Sequence, residues 1–282
     1  MVREVTCDQI AETVARLCQE ANYFLDEDVV AALRRGLEEE ESPLGRDVLA
    51  QLLENAAIAR EEQVPICQDT GVAVIFLEAG QDVHVGGGSL AEALAEGVRR
   101  GYGEGYLRKS MVAQPIFNRT NTRDNTPPVV HTEIVPGDRL TIHVLPKGAG
   151  SENMSRLFML SPADGAEGVK RVVLQAVGEA GPNPCPPVVV GVGIGGTAEK
   201  AALLAKHALM RKIGEPSADA NVAALEAELL AQIRNTGIGP AGFGGRTTAL
   251  GVHVEMYPCH IASLPVAVNV QCHAARHKTA VL

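Results

Sequence analysis

The chain has 282 residues, 46% of them hydrophobic but only 3% aromatic, so its core has to be assembled from Val, Leu, Ile and Ala and general disorder is excluded. A formal net charge of −9 without a long Lys/Arg run argues against nucleic acid or a membrane surface as a partner, and an anionic substrate would need a local cationic pocket. No window has the apolar length of a spanning helix and no secretory signal is present, which makes the cytoplasm the expected location.

Leu, Val, Ile and Ala recur at steps of three and four through Ile10–Leu25, Val29–Leu37 and Val48–Ile58, predicting three helices within a helical segment 1–62, with Ser42-Pro43 separating the second from the third. The loop Val64–Gly71 leads into a strand-like run, Val72–Leu77. Gly86–Gly88 and Ser89 announce a helix near 90–100. Residues 101–128 are polar, rich in Gly, Asn, Thr, Arg and Pro, and lack periodicity, as functional loops do. Val129–Val135 and Leu140–Leu145 flank Pro136-Gly137-Asp138 and predict a hairpin. A Gly loop at 147–153 precedes a helix over 162–180 capped by Ser161. A buried strand over Pro186–Val192, helices over Thr197–Arg211 and Asp219–Ile233, a glycine-rich loop at 237–251 and short strands at Val252–Met256 and Pro265–Val270 complete the chain. Interleaved helices and strands with few βαβ units predict a mixed α/β (α+β) fold with partly antiparallel sheets surrounded by helices. No repeat or linker interrupts it, so 1–282 reads as a single domain.

Gly191, Gly193 and Gly196 fit G-x-G-x-x-G after a strand and before a helix, which would suit a nucleotide-dependent oxidoreductase. A dinucleotide site also needs an acidic residue at the end of a second parallel strand, and Glu215 lies in a turn instead. Close strand-to-helix packing explains these glycines better. The six cysteines, at positions 7, 18, 67, 185, 259 and 272, do not read as a disulfide framework. Cys7 and Cys18 fall on a helical pattern as small apolar filler. Cys67, Cys185 and Cys272 sit among turn-forming residues and could be buried thiols or metal ligands. No C-x-x-C is present, which excludes a zinc ribbon, and an electron-transfer cluster usually takes four cysteines.

Ile66–Gly71 (ICQDTG), Asn183–Pro187 (NPCPP), Gly191–Lys200 (GVGIGGTAEK), Asn235–Thr248 (NTGIGPAGFGGRTT) and Val270–Cys272 resemble, in order over residues 45–282, the iron–sulfur fumarase and tartrate dehydratase family. The resemblance implies that Cys67, Cys185 and Cys272 hold a [4Fe-4S] cluster with one open iron, making a hydro-lyase of C4 dicarboxylates. It places Gln68, Arg108 and Gly150 as substrate-binding residues and Asp69 and His260 as catalytic ones. It also implies a β subunit in an α2β2 assembly, which supplies the base. Asn121–Pro127 (NTRDNTP) and Lys147–Ser155 (KGAGSENMS) resemble the fumarase branch, favouring fumarate over L-tartrate.

Overall fold

The computed structural model describes residues 2–282. Its contacts divide the chain into two compact units, residues 1–25, 56–149 and 276–282 in unit 1 and residues 26–55 and 150–275 in unit 2.

Unit 1 opens with strand β1 (Arg3–Thr6) and helix α1 (Cys7–Tyr23). Thr6 and Gln9 form a reciprocal cap that satisfies two otherwise orphaned N–H groups. Ile10, Val14, Leu17 and Cys18 then point inward at helical spacing. Beyond the 20-residue helix α3 (Pro43–Glu62), whose first 13 residues, 43–55, belong to unit 2, come β2 (Val72–Gly80), β3 (Val83–Gly86) and α4 (Leu90–Glu104). Helix α1 packs closely on α4 because Gly97 and Gly101 lack side chains. A Cβ at either would lie 2.7 Å from the carbonyl oxygen of Ala11 or Ala15. With β4 (Val129–Val135), β5 (Leu140–Lys147) and β10 (Lys278–Val281), β2 forms a sheet ordered β10-β5-β2-β4, while β1 pairs with β3.

The hairpin expected of β4 and β5 does not form. Strand β2 lies between them, antiparallel to β5 and parallel to β4. Its apolar run buries best with a neighbour on each side, and the 136–139 turn bonds to the end of β2 instead. Gly80 N donates to Arg139 O at 2.8 Å and Asp82 N to Gly137 O at 2.9 Å.

In unit 2, α2 (Glu27–Glu39) leads to Ser42, whose hydroxyl accepts the Gly45 N–H at 3.2 Å and starts α3, with Pro43 at the position where a missing N–H costs nothing. After the short α5 (Ala149–Glu152) and β6 (Arg156–Leu160), the elements are α6 (Gly165–Ala180), β7 (Val188–Gly195), α7 (Ala198–His207), α8 (Ala220–Arg234), β8 (Ala249–Tyr257) and β9 (Leu264–Gln271). The sheet order is β6-β9-β7-β8, with only β7 and β8 parallel. Val188, Val190 and Val192 pack with Val172, Val173, Leu229 and Ile233 from α6 and α8. On the other face, Gly191 and Gly193 admit α7 so closely that a Cβ on them would overlap the carbonyl oxygens of Ala205 and Ala201. These glycines belong to helix–strand packing. No helix among the described residues is long and apolar enough to cross a membrane.

Candidate active site

The sequence after α3 carries Cys67, Gln68 and Asp69 on a loop of unit 1 whose backbone is held at Ile66 before them and from Asp69 to Gly71. Ile66 N donates to Asn22 O at 3.0 Å. Arg276 Nη2 donates to Asp69 O at 2.9 Å while its Nη1 reaches Asn22 Oδ1 at 3.0 Å. The Tyr102 hydroxyl lies 2.8 Å from Thr70 O and 3.0 Å from Gly71 O, and Asn125 Nδ2 donates to Gly71 O at 3.1 Å. Asn22, Tyr102, Asn125 and Arg276 are all buried. Burial, reinforced by Cys18, pushes the Tyr102 hydroxyl well above its ordinary value, so it remains a donor. At Gly71, with φ of +75°, a Cβ would come within 2.7 Å of the Lys147 backbone, so only glycine fits.

On this fixed loop, the Cys67 thiol donates to Gln68 Oε1 at 3.1 Å. Asp69 turns inward, its carboxylate accepting Gly71 N at 3.1 Å and Ala149 N at 2.8 Å. Arg108 is exposed in the loop after α4, and its carbonyl accepts the Thr70 hydroxyl at 3.0 Å.

Unit 2 brings two further cysteines together. Cys185 precedes β7 and Cys272 follows β9, and the antiparallel register of these strands sets Val189 opposite Gln271. Both cysteines therefore lie at one end of the sheet. His273 joins them, donating its backbone N–H to Cys185 O at 3.3 Å and placing Nδ1 3.1 Å from the same oxygen. Cys185 is exposed, with φ of +55° in the left-handed region that non-glycine residues seldom adopt. Gly150 faces the same segment, since a Cβ there would be 3.3 Å from Asn183 O.

His260 is not brought to this end. It lies in the exposed loop between β8 and β9, and β9 spans roughly 24 Å at about 3.4 Å per residue before reaching Cys272. Its Nδ1 accepts the Ala262 N–H at 3.1 Å, so the neutral ring carries its proton on Nε2. Among the described residues no three His, Cys, Asp or Glu side chains form a group that could hold a metal ion. Cys18 is fully buried, and burial pushes its thiol up to about 12, which makes it inert filler. Sequence reasoning missed the clamp residues Asn22 and Arg276, whereas Tyr102 and Asn125 both lie within the polar 101–128 stretch that its lack of periodicity sets apart.

The fumarate hydratase (Fumerase) family model matches residues 11–281. The chain belongs to that family. Like this fumarase-family chain, its relatives are of similar length. It is 46% identical over 274 residues, 95% of each chain, to a Methanocaldococcus jannaschii protein named "Putative L(+)-tartrate dehydratase subunit alpha". It is 33% identical over 281 residues to the L(+)-tartrate dehydratase subunit alpha of Escherichia coli strain UTI89, covering 98% of this chain and 92% of that one. Identity to the subunit of the same name from Escherichia coli K12 is 32% over the same span. Family membership makes the chain a hydro-lyase.

Proposed function

We propose that the chain is the α subunit of an iron–sulfur hydro-lyase that reversibly hydrates fumarate to (S)-malate, with a β subunit completing the site in an α2β2 assembly. The observation that carries the reading is the joining of the Cys185 and Cys272 segments by His273 at one end of a sheet, in a chain of a hydro-lyase family. The donor chemistry fits the cofactor. None of the six cysteines is in a disulfide, and Cys67, Cys185 and Cys272, each exposed or half-buried, lie beyond the ends of α3, β7 and β9 on irregular backbone. Three thiolates suit a [4Fe-4S] cubane with one iron left open, which when bound supplies a Lewis acid for the substrate hydroxyl.

The chain's own residues bind and orient. The exposed Arg108 guanidinium offers two parallel donors to one substrate carboxylate. Gln68, beside Cys67 and exposed, has its amide N–H groups to offer a carboxylate oxygen. The Gly150 N–H serves as a third donor. These donors stabilise the negative charge that accumulates on the carboxylate when the C3 proton is removed. Asp69, with both oxygens on backbone N–H groups, fixes the cysteine loop against 148–149 and so acts on the substrate through its neighbours. His260, on the loop at the opposite end of β9 from Cys272, takes no part in this donor set, and the C3 base is assigned to the β subunit. Relatives named as alpha subunits support that partner.

Their names also favour a second reading, dehydration of L-tartrate, in which the same donors hold the two carboxylates. The test is the α–β complex purified without oxygen. It should be brown, and its kcat/KM for fumarate should exceed that for L-tartrate, whereas the reverse order assigns the second reading. Cys185→Ser should remove the visible absorbance and the activity together while far-ultraviolet circular dichroism is kept. A variant that keeps its colour overturns the cluster assignment.

A further inference from the structure

The stretch 105–123 carries four of the chain's 25 cations, Arg108, Lys109, Arg119 and Arg123, and none of its 34 acids. In a chain of net charge −9 this is a local reversal of sign. The acids on either side are engaged elsewhere. Glu104 pairs with Arg100 at 3.6 Å, while Asp124 accepts Arg99 Nε at 3.2 Å and both the N–H and the hydroxyl of Thr126. None of the four cations has an acidic partner among the described residues, and Arg108, Arg119 and Arg123 are exposed.

The fold holds these charges in one place. Thr122 N donates to Met111 O at 2.9 Å, Ala113 N donates to Thr120 O at 2.8 Å, and Val112 bridges Asn121, so 111–122 runs out and back as a short hairpin. Its base closes on Arg108 and Lys109. Asn121 Nδ2 donates to Lys109 O at 2.8 Å while its Oδ1 accepts Arg123 N at 2.7 Å, and Asn125 Oδ1 accepts Ser110 N at 2.8 Å. Arg108, Lys109 and Arg123 therefore share one end of the hairpin. The Thr70 hydroxyl ties that end to the Cys67 loop through Arg108 O. Arg119 is three residues from Thr122, about 10 Å farther out at roughly 3.3 Å per residue. Gln114 Oε1 accepts the N–H groups of Ile116, Phe117 and Asn118 at 2.8, 2.6 and 3.2 Å and fixes the tip beside Arg119.

We infer that Lys109, Arg119 and Arg123 form an electrostatic collector, which concentrates a dianionic dicarboxylate in front of Arg108 and steers it onto the site. The inference rests on the hydro-lyase reading of this loop and holds for fumarate and L-tartrate alike, since both are dianions. Like charges fixed close together without counter-charges repel one another, and their summed field raises the local concentration of an opposite ion. The field reaches about 30 Å at 0.01 M ionic strength, past the tip of the hairpin, and about 8 Å at 0.15 M, which still covers its base. Arg108 clamps one carboxylate at contact, whereas the other three act before contact.

Steady-state kinetics of the α–β complex between about 0.01 and 0.3 M ionic strength test this. For the wild type, kcat/KM should fall roughly tenfold or more across that range while kcat holds. Lys109→Gln, Arg119→Gln and Arg123→Gln combined should lower kcat/KM roughly tenfold or more at the lowest ionic strength, through KM, and the gap should close to under about twofold at 0.3 M. Arg119→Lys combined with Arg123→Lys keeps every charge and should match the wild type throughout, because a field does not read fork geometry. A wild-type kcat/KM that ignores salt overturns the inference. So does a Gln variant without a deficit at low salt, or with one that lies in kcat or persists at high salt. A Lys variant as impaired as the Gln variant overturns it too. A wild-type complex that acts on neither fumarate nor L-tartrate instead overturns the hydro-lyase reading, and the inference with it.

Discussion

Replacing Glu40 by Gln should destabilise unit 2 in a pH-dependent way. Glu40 follows α2, and only 2% of its surface is exposed. Its carboxylate accepts backbone N–H groups from Glu41, Ser42 and Arg246 at 3.0 Å and from Thr247 at 2.8 Å. Gly245, with φ of +123°, has to be glycine here, because a Cβ would lie 2.5 Å from a Glu40 oxygen. Burial alone would raise the carboxyl pKa, but the N–H groups of Ser42, Thr247 and Arg246 outweigh it and bring the group from 4.5 to about 2. At about 1.36 kcal/mol for each tenfold change in proton affinity, that gap is roughly 3 kcal/mol. Because the folded value is the lower one, this stability is complete above 4.5 and is lost as pH falls toward 2. Glu40→Gln keeps the shape but removes the charge and turns an NH2 toward N–H donors, so roughly 2–3 kcal/mol should be lost at neutral pH. The assay is urea unfolding by circular dichroism at several pH values from neutral to 3. The difference between wild type and variant should shrink on acidification. A difference under about 0.5 kcal/mol at neutral pH, or one that does not change with pH, would refute the reasoning.

Arg276→Met leaves Asn22 Oδ1 and the Asp69 carbonyl without their buried donor, and should cost about 3 kcal/mol and lower Tm by roughly 6–10 °C in differential scanning calorimetry. Gly193→Ala drives a methyl into the Ala201 carbonyl and should cost roughly 3 kcal/mol or more in urea unfolding, with no nucleotide effect on either protein. Arg108→Lys keeps the charge but loses the fork, so kcat/KM of the complex should fall roughly ten- to a hundredfold with the visible spectrum unchanged.

The helices were legible because their apolar residues repeat at three and four positions, and the Ser42-Pro43 break marks where the third begins; the cap at Thr6 shows only in the structure. Four strands were not legible. β1, β3, β6 and β10 are four or five residues long and mostly exposed on one or both faces, so they carry little alternation to read. The β4–β5 pairing was misread because Pro136-Gly137-Asp138 is a good local turn, whereas the competing partner, β2, lies some 50 residues earlier in sequence and no local signal reports it. At the site, the cysteines could be singled out by their turn-rich surroundings, yet only family resemblance gave them a purpose. The clamps around the Cys67 loop had weaker traces. Asn22 is an amide on the apolar face of α1 between Ala21 and Tyr23, and Arg276 sits among His273, His277 and Lys278 with nothing to single it out. A polar side chain shows its role only when the carbonyl it meets is brought to it by the fold.

The division of the chain has a consequence for its synthesis. The sheet of unit 1 is finished by β10, whose residues 278–281 pair with residues 141–144, and Leu282 exchanges both backbone bonds with Leu140 at 2.9 and 3.0 Å. Unit 2 in turn requires residues from 26 to 275. Neither unit is a continuous stretch that could fold as soon as it leaves the ribosome, which is how multidomain chains usually limit exposure of unfinished surface. Unit 2 must wait for residue 275 and unit 1 for β10, and such long-range closure slows folding. Until then the nascent chain holds an open β5 edge and uncovered valine-rich strands, which makes its yield in a cell depend on chaperones more than its final stability would suggest.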